Sequence, residues 1–233
     1  MSKNVLITGG NKGIGLESTR IFLDKGYKVI VVARDFKNFE FDDNKNVVKV
    51  EYDLSDVDNI KDLANKIGGI DILVNNAGMM NAIPYDRYPK QDKERLMNVN
   101  LYAPIELITQ FSKSMIKNKF GRIVNVTSIA GYIGHPDIWY GVSKAALVDA
   151  TKSFAKILAK DGITVNTVAP GPVETNMLEI VPKDRREAIK SNVFLDRFAK
   201  PEEVAKAIFW LASECPDYIN GVCIDVNNGA YLR

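Results

Sequence analysis

Metal, disulfide and membrane chemistry have almost nothing to work with in this chain. Two of its 233 residues are cysteine and one is histidine. Cys215 and Cys223 are too few for a disulfide framework and stand in no metal-ligand spacing, so they read as reduced structural thiols and no metal site is expected. No window approaches the roughly 20 apolar residues of a membrane span. An apolar strand begins at Asn4 with no charged leader before it, so a cytoplasmic protein without a membrane partner is expected. An excess of one charge is missing too: 31 basic residues face 29 acidic ones and the lysines are scattered, which removes the usual footprint of a nucleic-acid binder. Repeats and low-complexity tracts are absent.

What is there is a chain 46% hydrophobic and 26% charged, able to bury a full core, whose length suits one domain over residues 1–233. Short apolar runs alternate with amphipathic stretches. Strands are expected at Asn4–Thr8, Lys28–Ala33, Val47–Tyr52, Asp71–Asn75, Gly121–Thr127, Gly162–Val168 and Gly221–Val226. Helices are expected near Ile14–Lys25, Val57–Ile67, Lys90–Asn118, Ile138–Lys160 and Glu202–Ser213, the last announced by Pro201 and by acidic residues in its first turn. Such alternation specifies an α/β fold, a doubly wound parallel sheet of about seven strands with helices on both faces. Residues 176–200 break the pattern: they are long, mixed in charge and interrupted by Pro182, and they are expected to form a lid over a substrate.

The most specific local signal is the run Val5-Leu6-Ile7-Thr8 into Gly9, Gly13 and Gly15, with Asn11, Lys12 and Ile14 among them and a helix directly after. Glycine turns tightly and lets the backbone approach a ligand, and the first N–H groups of the following helix point at an anion that its dipole favours. A strand, this turn, an amphipathic helix and a second apolar strand, Val29-Ile30-Val31-Val32, open a βαβ unit that holds a pyrophosphate.

A second constellation comprises Ser128, Tyr140 and Lys144, with Asn100 earlier. Tyr140 and Lys144 share one face of a helix, and Ser128 follows the end of a strand, where ligands bind in open α/β sheets. Carbonyl reduction needs an acid for the developing alkoxide. A tyrosine with a reference pKa of about 10 becomes useful when a nearby ammonium lowers it by roughly 1–3 units. Lys144 would supply that ammonium, Ser128 would hydrogen-bond the carbonyl oxygen, and Asn100 would anchor a water leading from Lys144 to solvent. His135, the single histidine, is given no catalytic part. Trp139, Met79 and Met80 read equally as cleft wall or as core.

In order along the chain stand Thr8-Gly9-(x3)-Gly13-Ile14-Gly15, Asn75-Asn76-Ala77-Gly78, Asn100, Ser128, Tyr140-(x3)-Lys144 and Pro170-Gly171. Taken together these resemble the short-chain dehydrogenase/reductase family over essentially the whole length. The resemblance implies a Rossmann fold and a catalytic tetrad of Asn100, Ser128, Tyr140 and Lys144. It also implies that Asp53 and Leu54 approach the adenine, that Asn76, Ala77 and Gly78 line the nucleotide pocket, and that Val173 and Thr175 meet the carboxamide. A homotetramer, built on helices near Tyr102–Lys119 and Lys144–Ala159 and on the C-terminal strands, is implied as well.

The cofactor follows from charge. Ala33 occupies the end of the second strand where an NAD site usually places an acid, and Arg34 and Lys12 suit a 2′-phosphate, which points to NADPH over NADH. Asp35 could bond a ribose instead. Arg197-Phe198-Ala199-Lys200-Pro201-Glu202-Glu203-Val204 and the ending Gly221–Gly229 resemble the 3-oxoacyl-[acyl-carrier-protein] reductases of the family, which implies a thioester carbonyl substrate and an acyl carrier protein as partner. Against that subgroup, Met79-Met80-Asn81 replaces Ile-Thr-Arg-Asp, Asn228 replaces a glycine, and Asp161 stands at a customarily basic place beside Lys119 and Lys160. Reductases of small ketones, quinones or sugar-derived carbonyls stay open, as does a non-catalytic NADPH sensor.

Overall fold

The apolar runs become strands because both of their faces are covered. In the computed structural model, which describes residues 3–233, β1 (Asn4–Thr8), β2 (Lys28–Ala33), β3 (Val47–Glu51), β4 (Ile72–Asn75), β5 (Gly121–Val126), β6 (Ile163–Pro170) and β7 (Cys223–Val226) form one sheet. Every pairing is parallel, in the order β3-β2-β1-β4-β5-β6-β7. Val5 lies opposite Val29 on one side and Ile72 on the other, so successive side chains of the three strands point to the same two faces in step.

One face carries Val5, Ile7, Val29, Val31 and Val74 against Phe22 of α1 (Gly13–Asp24) and Ile208 and Phe209 of α9 (Pro201–Phe209). Phe22 and Phe209 meet edge-on with centroids 5.1 Å apart. The other face carries Leu6, Ile30, Leu73 and Ile123 against α2 (Ile60–Ile67), α4 (Ala103–Asn118) and α6 (Ile138–Leu158), through Leu63, Leu107, Phe111, Met115 and Leu158. Each such side chain, taken out of water, contributes about 1.5–3 kcal/mol. Strand order reverses between β1 and β4, which opens a crevice at the carboxyl ends of the strands.

Three departures from the sequence expectation have local causes. The single helix expected over Lys90–Asn118 is α3 (Lys90–Met97) and α4 joined by a wider π turn, Asn98–Tyr102, in which the Ala103 N–H reaches back to Asn98 O. The second helix starts at Ile60 rather than Val57, because residues 57–60 close a tighter turn, the Ile60 N–H reaching Val57 O at 3.2 Å, while Asn59 Nδ2 turns back to the Asp56 carboxylate at 3.0 Å. β7 starts at Cys223, because Gly221, at φ +74, still belongs to the turn that gives its N–H to Val165 O.

Three short α-helices remain: α5 (Ala130–Ile133) precedes α6, while the segment 176–200 contains α7 (Asn176–Glu179) and α8 (Lys183–Lys190). Past α8 this segment is tied down at its far end: the Phe194 N–H donates to Asn228 O at 3.1 Å and the Leu195 N–H to Asn228 Oδ1 at 2.9 Å. Asn228 has φ +45, a left-handed conformation that asparagine tolerates, which accounts for its standing where the subgroup has glycine. Among the described residues no helix is long and apolar enough to cross a membrane.

Candidate active site

The turn after β1 is shaped by contacts that admit no side chain at its glycines. Gly9 is at φ +65 and Gly13 at φ +51. A Cβ on Gly15 would stand 2.0 Å from Gly9 O, so the start of α1 packs directly on the turn. Thr8 and Asn76, at the tips of β1 and β4, lace the crevice closed below. Thr8 Oγ1 accepts the Asn76 and Ala77 N–H groups, both at 3.0 Å, and Asn76 Nδ2 donates to Thr8 O at 3.0 Å. Thr8 drew no notice in the sequence as a site residue. Its signal was its place at the end of the first strand.

Above this lattice lies a cavity of ≈ 650 Å³. Gly9, Asn11, Lys12, Gly13 and Ile14 form its floor at one end, beside Arg34, Asp53 and Leu54. Asn76, Ala77 and Gly78 line its middle, and Pro170, Gly171, Val173 and Thr175 the opposite side. Gly15 and Asn100 do not line it: the first is a packing position and the second is 0% exposed. These residues fit a dinucleotide. Glycine backbone stands where phosphates need close approach, and a Cβ on Gly78 would come within 3.3 Å of Lys144 Nζ.

Charge is concentrated at the turn end. Asn11 Nδ2 holds Asp35 O at 2.8 Å, and Lys12 Nζ is 3.8 Å from the Asp35 carboxylate, so that carboxylate is shared with a lysine. Arg34 makes no hydrogen bond or ion pair among the described residues. Asp53 is bound by a residue the sequence reading missed: Arg95 Nη2 donates to Oδ2 at 2.7 Å, and Arg95 Nη1 to Ser55 Oγ at 3.0 Å. Burial raises the Asp53 carboxyl, but hydrogen bonds from Ser55 and Arg95 outweigh it and leave the group below its ordinary value. No local pattern marked Arg95, since its partner lies 42 positions earlier.

Ser128, Tyr140 and Lys144 come together at the other end of the cavity. Ser128 Oγ accepts the Ala130 N–H at 3.1 Å, which orients the hydroxyl beside the Tyr140 phenol. The Lys144 ammonium, 5.8 Å from the centre of the Tyr140 ring, donates to Val126 O at 2.9 Å. Burial lowers Lys144 to about 8. For Tyr140 the sequence expectation is corrected: burial raises the phenol, the Ser128 hydroxyl pulls it down and the Asp137 charge raises it again, so a neighbouring ammonium does not govern it here.

Asn100 is fully buried beside this cluster. Its side chain is spent on protein: Oδ1 accepts the Met79 N–H at 2.8 Å, and Nδ2 donates to Met79 O at 2.9 Å and Ser143 Oγ at 3.1 Å. His135 turns out to pack on Tyr140, ring centres 5.0 Å apart, in the cavity wall. Among the described residues no group of three or more His, Cys, Asp or Glu is placed to hold a metal ion. The arrangement is a phenol, a hydroxyl and an ammonium at the end of a dinucleotide-sized trough, a set able to give a proton to an oxygen while charge builds on it.

Comparison with known proteins agrees with this geometry. A family profile described as enoyl-(acyl carrier protein) reductase matches residues 9–231. A 3-oxoacyl-[acyl-carrier-protein] reductase of Thermotoga maritima is 38% identical over 243 aligned positions, covering 99% of this chain and 98% of the relative. Among solved structures, 4-hydroxyisoleucine dehydrogenase complexed with NADH superimposes with a TM-score of 0.93 at 30% identity, over 98% of each chain. ElxO with NADP bound superimposes with a TM-score of 0.89 at 32% identity, over 99% of each. With the glycine turn, the Ser128–Tyr140–Lys144 cluster and the sheet order all in place, the chain belongs to the short-chain dehydrogenase/reductase family of oxidoreductases.

Proposed function

We propose that this oxidoreductase uses NADPH to reduce the ketone of 3-oxoacyl thioesters. The observation that carries the reading is the meeting of Ser128, Tyr140 and Lys144 at one end of a trough whose other end presents Lys12 and an unpaired Arg34. Lys12 and Arg34 would hold the 2′-phosphate, the glycine turn the pyrophosphate, and Val173 and Thr175 the carboxamide. A bound nicotinamide supplies the hydride. Ser128 fixes the substrate oxygen, Tyr140 protonates it, and the Lys144 ammonium steadies the phenolate that forms, passes it a proton and is itself reprotonated from solvent through a water anchored at Asn100. A cytoplasmic homotetramer fits the reading, with exposed Tyr102, Val142 and Ile157 on the outer faces of the π turn and α6 as its contacts.

One observation favours a smaller substrate. Lys119 Nζ lies 2.6 Å from Asp161, so a cation that would meet an acidic carrier protein is already paired within the chain. NADPH oxidation with acetoacetyl thioester, run beside ketones, diketones, quinones and ketoses, separates the two. Turnover led by the thioester is expected, and turnover led by a small ketone would keep the mechanism and replace the substrate. Tyr140→Phe is expected to bind NADPH normally and to lose on the order of 10³-fold in turnover.

A further inference from the structure

Asp137 is 1% exposed, and no lysine or arginine among the described residues pairs with it. Its carboxylate instead takes four hydrogen bonds from two distant parts of the chain. Oδ1 accepts the Tyr140 N–H at 3.2 Å and so caps α6. Oδ2 accepts the Asn81 and Ala82 N–H groups, both at 3.0 Å, and the Tyr88 hydroxyl at 3.3 Å. Asn81 Nδ2 closes the network by donating to the Tyr88 oxygen at 3.1 Å.

The loop held in this way is strained. Ala82 has φ +54, a left-handed conformation that a residue with a Cβ adopts reluctantly, and its N–H is one of those Asp137 holds. Strain of this kind persists where surroundings over-determine it. Directly before the turn, Met79 and Met80 line the cavity and pack with Leu96 and Tyr140 in one apolar cluster. The two things joined by Asp137 are therefore the helix turn that carries Tyr140 and the wall that faces it.

We propose that Asp137 is a positioning residue: its one buried carboxylate fixes the first turn of α6 against the Met79–Met80 wall and thereby sets the width of the substrate end of the cavity. This rests on Tyr140 being the proton donor, as proposed above. The consequence is a division of labour. Asp137 governs how firmly the chain flanking the carbonyl is gripped, and Ser128, Tyr140 and Lys144 govern the chemical step.

Asp137→Ser separates the two halves of the network, because a serine oxygen can still cap the Tyr140 N–H but cannot reach the 81–88 loop. The expected result is a cooperative melt, NADPH affinity within about twofold of the parent, a KM for acetoacetyl thioester raised about tenfold and a kcat lowered less than about threefold. Adding Ala82→Gly, which relieves the left-handed strain, is expected to recover much of the lost KM. An unchanged KM, equal losses of nucleotide and substrate binding, or no recovery by Ala82→Gly would each overturn the proposal. Should Asp137→Ser not fold, Tyr88→Phe removes one donor of the four and is expected to raise KM about threefold, an unchanged KM again overturning it. A parent protein inert towards every carbonyl would refute the reading of Tyr140 instead. The latch would then be read by amide exchange at Asn81 and Ala82, protected in the parent and released in Asp137→Ser, with equal protection in both counting against it.

Discussion

The Lys144 ammonium is buried, donates to a single carbonyl, Val126 O, and is held at about 8 by burial. As pH rises the folded protein loses this proton first, while the unfolded chain keeps it until the ordinary value of 10.5. The unfolded state therefore binds more protons between about 8 and 10.5, so stability from this residue rises across that window and is lowest below about 8. Lys144→Met is expected to be about 1–3 kcal/mol more stable than the parent at pH 7, with the gap closing near pH 10 and turnover lost; urea titrations at the two pH values check it. Reduction by the parent should fall as pH rises through about 8, where the ammonium is lost. At the opposite end of the trough, Arg34→Ala is expected to weaken NADPH roughly 10-fold or more, the size of a charge-assisted contact, and to leave NADH almost unchanged. Paired fluorescence titrations would show it, and equal losses for both cofactors would count against a 2′-phosphate site.

At the scale of elements, the site depends on how ends of strands meet starts of helices. A Cβ on Gly15 would collide with Gly9 O at 2.0 Å, which is backbone and cannot swing away. Gly15→Ala is thus expected to push α1 off the turn, costing about 2 kcal/mol or more of stability and at least tenfold in nucleotide affinity; a thermal melt with and without NADPH measures both. Most of this architecture was readable in the chain, because central parallel strands are apolar on both faces and stand out as continuous runs such as Val29–Val32. The glycine turn, Ser128, Tyr140 and Lys144 were readable for the same reason, since each is tied to a strand end or to one helix face. The π turn was not: it keeps the helical direction and the apolar stripe, and Pro104 was its one overt sign. Arg95 and the hold of Asp137 on the 81–88 loop were invisible because those partners lie about forty to fifty-six positions away, which no periodicity reports.

For the whole molecule, charge and order of assembly matter more than any single contact. Lys119 is two-thirds exposed yet neutralised by a largely buried Asp161, so the surface beside α4 presents less positive charge than its lysines suggest. Asp161→Asn is expected to lower the KM for a carrier-protein-bound thioester about two- to fivefold and to leave a small thioester untouched; no difference between the two substrates would place docking elsewhere. Assembly follows from the sheet order given above. β1 leaves the ribosome first and finishes inside the sheet, β2 and β3 build outward on one flank, and β4 to β7 then build outward on the other, each beside a neighbour already made. The trough, however, is closed by Pro170 to Thr175 as well as by Gly9 to Ile14. A nascent chain can therefore pair its early strands long before it can hold a nucleotide, so the cofactor can stabilise the finished protein but cannot guide the birth of its first half.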